Sequence, residues 1–239
     1  MPVLNFDAVL CADLVTEPFR WAHIKPSFQT PALVRQLAME FPSDGFGRKQ
    51  RRLGESSVSG GHYLNGRGLI TRQTAQLHRQ ETLTDLWRDL ALELLSDEYR
   101  NAVSSLVGID LRRTKVEAIL FRQPEGGYLD PHADNPKKPV SHVFYFNLDQ
   151  WPAEEGGHLR ILRSDDIEDA AHELPPDIDT SVILVRSDSS WHGYKPVRHG
   201  RERLSMQVFF CEPDMEFATE YGPDWTRPPR ITRSLRLGQ

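Results

Sequence analysis

The hydrophobic pattern changes character near residue 110. Residues 18–26 (PFRWAHIKP) alternate large apolar with polar side chains between two prolines, which predicts a short strand. From Pro31 to Phe41, residues Leu33, Leu37, Met39 and Phe41 fall close to helical spacing and stop before Pro42, predicting a helix. Residues 43–73 carry Gly45, Gly47, Arg48, Lys49, Arg51, Arg52, Gly60, Gly61 and Gly66 with little periodicity. They predict a long loop, either bland or a lid over a site. Helical spacing returns with Leu83, Leu86, Trp87, Leu90, Leu94 and Leu95 on one broad face, and Thr82 with Asp85 reads as a capping box. A second helical stretch carries Tyr99, Val103 and Leu106 to a stop at Gly108. Beyond it the period shortens: segments 113–122, 140–147, 157–162, 180–186, 191–197 and 203–211 all read as strands, separated by Gly, Pro and Asp. Many short strands without intervening helices predict an antiparallel sandwich or barrel, so the fold class is mainly β with flanking helices.

This organisation divides the chain into a buttressing N-terminal region (1–110), a strand-built core (111–213) and a tail (214–239), together one structural domain. The tail, with Arg227, Arg230, Arg233 and Arg236, is expected to pack at its start and fray beyond.

Composition narrows the class. The 239 residues are 38% apolar and 26% charged, with 29 basic against 34 acidic side chains and a net charge of −5. That is an ordinary globular balance; it excludes collagen, coiled coil and bulk disorder, and gives no electrostatic footprint for nucleic acid or an anionic membrane. Cys11 and Cys211 are too far apart in sequence to form a metal-type or redox-type pair. Residues 1–19 hold Asp7, Asp13 and Glu17 among their apolar positions, which fits neither a signal peptide nor a spanning helix, so a cytoplasmic location is the expectation.

Candidate chemistry concentrates in the strand region. In the segment GGYLDPHADNP (126–136) an extended backbone aims His132 and Asp134 to one side, with Ala133 opposite. Alone, such a triplet is more often a hydrogen-bonded turn unit. His192 lies 60 residues further on, near the end of the strand series, where an antiparallel roll can return it beside the first pair. Two imidazoles and one carboxylate on one face of a metal leave the other face open, the arrangement non-haem Fe(II) uses to bind O2 and a co-substrate. Arg203 and Ser205 share a strand face and together offer a guanidinium fork and a hydroxyl to one carboxylate.

From about Phe121 to Pro213 these residues resemble the Fe(II)/2-oxoglutarate-dependent dioxygenases of the prolyl-hydroxylase type. The likeness rests on GYLDPHADNP, on VFYFNLDQW (143–151), on GGHLRI (156–161), on His192 followed by KPV (195–197), and on Arg203 leading a strand of large apolar residues. It implies a double-stranded β-helix, or jelly roll, and Fe(II) held by His132, Asp134 and His192. It also implies 2-oxoglutarate held at its distal carboxylate by Arg203 with Tyr145 and Ser205, O2 as oxidant and ascorbate as a supporting reductant. A carboxylate at Asp134 argues against halogenase relatives, in which a small residue there makes room for halide.

Two positions depart from the resemblance. Arg122 stands where close relatives tend to have tyrosine, and either faces the active site to bind an anionic group or points outward to pair with an acid. His158 stands where many have glutamate, and reads as structural. Arg122 and Trp191 are the substrate-facing candidates, and Lys137 and Lys138 either suit an anionic substrate or are solvated. Three functions compete: hydroxylation of an unactivated C–H bond in a small molecule such as an amino acid or natural-product intermediate, hydroxylation of prolyl residues in a peptide or protein, and non-catalytic sensing by a metal-binding jelly roll. No nucleic-acid or membrane partner is expected, and the oligomeric state is not encoded legibly.

Overall fold

The computed structural model describes residues 2–51 and 62–215. In chain order the elements are α1 (Phe6–Leu10), β1 (Trp21–Ile24), α2 (Pro31–Met39), β2 (Gly47–Arg51), β3 (His62–Thr71), β4 (Gln76–Leu77), α3 (Asp85–Leu94) and α4 (Asp97–Val107). They continue with β5 (Lys115–Gln123), β6 (Tyr128–His132), β7 (Val140–Tyr145), β8 (Leu159–Leu162), β9 (Ala170–Leu174), β10 (Ser181–Val185), β11 (His192–Tyr194) and β12 (Arg203–Cys211).

All named strand pairs are antiparallel, and they connect in the order β1-β10-β7-β12-β5-β3-β6-β11-β8-β9, with β2 and β4 attached to β3. The sheet curls until its two ends touch, the rings of Trp21 on β1 and His172 on β9 lying 4.9 Å apart. This is the jelly-roll architecture expected from the spacing of short strands.

The two faces of each strand do different work. On β7 the inward residues Val143 and Tyr145 pack with Val182, Leu184, Leu159 and Ile161 inside the roll. The outward Val140 and Phe144 join the larger core, which runs from Val3 to Phe210 and takes in the buried faces of all four helices. Because β7 is covered on both sides, every one of its residues is buried. The leucine-faced helices therefore buttress the outside of the roll: Trp87 of α3 stacks near Phe146, ring centres 5.2 Å apart, and the Tyr99 hydroxyl of α4 bonds His142 Nδ1 at 2.9 Å.

Several local expectations are corrected. Residues 43–73 are not one loop: β2 and β3 form an antiparallel pair, and β3 also lies between β5 and β6. Residues 66–70 are buried, so the strand lacks the alternation that marks a half-exposed one. The expected lid falls partly on residues 52–61, outside the described residues, as does the tail from 216 onward. Thr82 does not cap α3. It ends a short 3-10 turn and its hydroxyl accepts from Arg67 at 2.7 Å, leaving Thr84 as the N-cap. Strands β6 and β9 have no strand-like composition, the first holding Asp130 and Pro131 and the second reading AAHEL. Gly108 ends α4 as expected, in the left-handed conformation at φ 64°. Among the described residues no helix is long and apolar enough to cross a membrane.

Candidate active site

Register brings the first two candidate ligands together. β6 and β11 are adjacent, and His132 is paired directly with His192. Their rings lie 4.3 Å apart at 49°. Asp134 follows just past the end of β6, its Oδ1 3.8 Å from His132 Nε2. One ligand atom from each of His132, Asp134 and His192 falls within 4.8 Å of the others, the one such cluster of potential metal ligands among the described residues. The close approach of β11 to β6 depends on Gly193: a Cβ there would sit 2.5 Å from the Leu129 carbonyl oxygen.

The hydrogen bonds around the cluster fix its chemistry. His132 Nδ1 lies 3.1 Å from the Asp130 carbonyl and His192 Nδ1 lies 2.9 Å from the Ser190 carbonyl. A carbonyl only accepts, so each Nδ1 carries the proton and each Nε2 presents a lone pair. The Ser141 hydroxyl donates to Asp134 Oδ2 at 2.5 Å, leaving Oδ1 turned toward the imidazoles. Burial opposes the ionised form of Asp134, but His192 and His132 when they carry a second proton, together with Lys138 and the Ser141 hydroxyl, outweigh it and hold the carboxyl below its ordinary range. Two imidazoles whose Nδ1 atoms are held by carbonyls, so that Nε2 is the atom left to bind a metal, and one carboxylate are a donor set that fits Fe(II).

The same cavity contains an arginine clamp. Arg203 is only 1% exposed. Its Nε donates to the Gly157 carbonyl at 2.8 Å, one Nη to Ser205 Oγ at 3.1 Å, and the other reaches the Tyr145 hydroxyl at 3.4 Å. Three of five guanidinium N–H groups are thus engaged, and the remaining two match one carboxylate. The guanidinium carbon lies 4.5 Å from the ring centre of Tyr194 and 5.0 Å from that of Tyr145, so two buried aromatic faces also hold it. Burial pushes the Tyr194 hydroxyl up to about 12 and raises that of Tyr145 against the opposing pull of Arg203. Both phenols are therefore neutral hydrogen-bonding groups at physiological pH.

The cavity joining the two groups is narrow and partly open to solvent. Its polar lining comprises His132, Asp134, His192, Ser141, Tyr194, Arg203 and Gln207, and Val143, Leu159 and Leu184 are among its apolar walls. Ser141, Tyr194 and Gln207 are the members that the sequence reading missed. For Gln207 a signal existed, since Arg203, Ser205, Gln207 and Phe209 continue one strand face. Ser141 and Tyr194 depend on neighbours distant in sequence.

The substrate-facing candidates are not brought together. Leu204 and Arg122 are strand partners, on the face of the sheet opposite Arg203 and Ser205, and Arg122 pairs with Glu202 at 2.5 Å. Of its two alternatives, the outward ion pair is the one the structure contains, because strand alternation turns position 122 away from the cavity. Trp191 is half-buried and does not line the cavity. His158 is buried, outside the ligand cluster, with Nδ1 3.9 Å from Glu173. Lys137 pairs with Asp214, whereas Lys138 is buried with its ammonium 3.7 Å from the centre of the Phe209 ring.

Comparison with known proteins agrees with this architecture. Residues 118–211 match the profile of the 2OG-Fe(II) oxygenase superfamily. No curated protein matches the sequence. Among solved structures, a Pseudomonas putida prolyl-4-hydroxylase superposes with a TM-score of 0.57 at 20% identity, over 87% of this chain and 96% of its own. A Trichoplax adhaerens prolyl hydroxylase, solved with a hypoxia inducible factor oxygen degradation domain peptide fragment, gives 0.54 at 15% identity, over 87% and 89%. SnoN, a non-heme alpha ketoglutarate dependent epimerase from nogalamycin biosynthesis, gives 0.50 at 11% identity, over 80% and 77%. At these identities the structures speak to the fold. The matched segment, residues 118–211, is similar to the 2OG-Fe(II) oxygenase superfamily, and it lies on a jelly roll that resembles the prolyl-hydroxylase-type structures.

Proposed function

We propose that the protein hydroxylates an unactivated C–H bond of a small molecule, consuming O2 and 2-oxoglutarate and releasing succinate and CO2. The observation that carries this reading is the convergence, in one cavity, of three potential metal ligands and a buried arginine with two N–H groups to spare. His132, Asp134 and His192 would hold Fe(II), and Arg203, Tyr145 and Ser205 the distal carboxylate of the co-substrate. The chemistry such a metal supplies when bound is oxidative decarboxylation of the keto acid coupled to oxidation of the substrate C–H bond.

The chain's own residues bind, orient and exclude water. Arg203 enters the reaction already fixed by Gly157, Ser205 and two tyrosine faces, so little ordering remains to be done when the carboxylate arrives. Val143, Leu159 and Leu184 offer the methylene chain an apolar passage. Ser141 keeps one Asp134 oxygen occupied and the other available.

A second reading, hydroxylation of a prolyl residue in a peptide, draws support from the likeness over 87% of the chain to two prolyl hydroxylases. The test is succinate release with Fe(II), O2 and ascorbate across a panel of amino acids, natural-product intermediates and proline peptides. Substrate-dependent succinate from a small molecule supports the proposal, and turnover of proline peptides alone replaces it with the second reading. Absence of any succinate, including uncoupled release without substrate, favours a non-catalytic metal-binding module.

A further inference from the structure

The inward face of β12 carries a ladder with three rungs. Ser205 is paired with Phe121 and Tyr145, Gln207 with Ile119 and Val143, and Phe209 with Glu117 and Ser141. The first rung belongs to the arginine clamp through Ser205 and Tyr145. The third is level with the candidate metal centre through the Ser141 hydroxyl on Asp134. Gln207 stands between them, about 6.6 Å along the strand from each neighbouring rung.

Its carboxamide is placed unusually. It lines the cavity, its strand partners Ile119 and Val143 are apolar, and among the described residues it finds no hydrogen-bond partner. By contrast Arg203, Ser141, His132 and His192 are each already bonded to the protein. The side chain is half-buried, so water can solvate the amide, and it stays available to a polar group that enters the cavity. A molecule anchored at Arg203 and extending to His132, Asp134 and His192 must pass this rung.

We infer that Gln207 binds the keto-acid end of the co-substrate, donating an amide N–H to the carboxylate adjacent to the keto group. This rests on the co-substrate reading above. The carboxamide is suited to the place: it offers two N–H donors, whereas a carboxylate would repel and an aliphatic side chain would leave the incoming anion unpaired.

The experiment titrates the full chain, loaded with Mn(II) in place of Fe(II), with 2-oxoglutarate by calorimetry. Pentanoate, which has the same chain length and the distal carboxylate but no second carboxylate or keto group, is measured by competition. Gln207→Leu should weaken 2-oxoglutarate at least tenfold while pentanoate stays within twofold, and Gln207→Glu should weaken 2-oxoglutarate further. Should the leucine variant fail to fold, judged by its thermal transition, the glutamate variant carries the same comparison. Unchanged 2-oxoglutarate affinity in the folded variant, or equal loss for both ligands, overturns the role of Gln207 alone. Wild-type protein that binds no 2-oxoglutarate in the presence of Mn(II) overturns the co-substrate reading and this inference with it.

Discussion

His142 allows a quantitative test of how the outer face of the roll is held. It sits on β7, directly between two residues of the cavity, Ser141 and Val143, but points the other way into the core. Tyr99 bonds its Nδ1 at 2.9 Å, Ser181 its Nε2 at 2.8 Å, Ser181 meets Ser27 at 2.8 Å, and Ser27 reaches the Ile24 carbonyl at 3.0 Å. One proton assignment satisfies every group: Ser27 donates to Ile24, Ser181 to Ser27, His142 Nε2–H to Ser181, and Tyr99 to Nδ1. The chain therefore needs a neutral imidazole, and burial lowers the pKa of His142 from 6.5 to about 3. A depressed histidine pKa means that the stabilisation is present above the unfolded value and lost as pH falls below it toward the folded one. Between pH 7.5 and pH 5.0 the loss from this group is about 2 kcal/mol, at about 1.4 kcal/mol per unit below 6.5. His142→Phe removes the titration and orphans two buried hydroxyls, so it should cost about 2–4 kcal/mol at pH 7.5. Urea unfolding of both proteins at the two pH values, followed by circular dichroism, gives a difference in which other titrating groups cancel. The gap between wild type and variant should shrink by about 2 kcal/mol at pH 5.0. A gap that is the same at both values would refute the assignment of a neutral, titration-suppressed His142.

Three further outcomes are expected. Asp134→Ala should abolish iron-dependent succinate formation while leaving the thermal transition within a few degrees of wild type, since the larger core does not include Asp134; unfolding at ordinary temperature would mark the position as structural. Arg203→Ala should weaken 2-oxoglutarate binding on the order of a hundredfold or more, in line with about 2–5 kcal/mol for removing one partner of a buried charge pair, as read by titration with Mn(II). Gly193→Ala places a methyl 2.5 Å from the Leu129 carbonyl oxygen and must push β11 from β6. Its expected signature is a loss of Mn(II) affinity larger than its loss of thermal stability.

What the sequence disclosed, and what it withheld, follows from the range of the interactions involved. His132 and Asp134 announce themselves through local alternation, and Arg203 with Ser205 through the same rule on β12. The helical faces of α3 and α4 were legible because a long apolar stripe has few alternatives. By contrast β3 is buried over residues 66–70 and is rich in glycine and arginine, so no period marks it. The tilt of Arg122 away from the cavity follows from its register with Leu204, which only the folded sheet defines. Tyr194 and Ser141 matter through what they touch, Arg203 and Asp134, at positions distant in the chain.

The two imidazoles of the candidate metal centre are oriented by main-chain carbonyls, those of Asp130 and Ser190, rather than by acidic side chains. An anchor made of backbone survives every substitution at its own position except one that bends the strand. Ring orientation in this protein is consequently insulated from point mutation nearby, and drift in its metal preference would have to come through the carboxylate and its serine, or through glycines such as Gly193 that set how closely the strands approach.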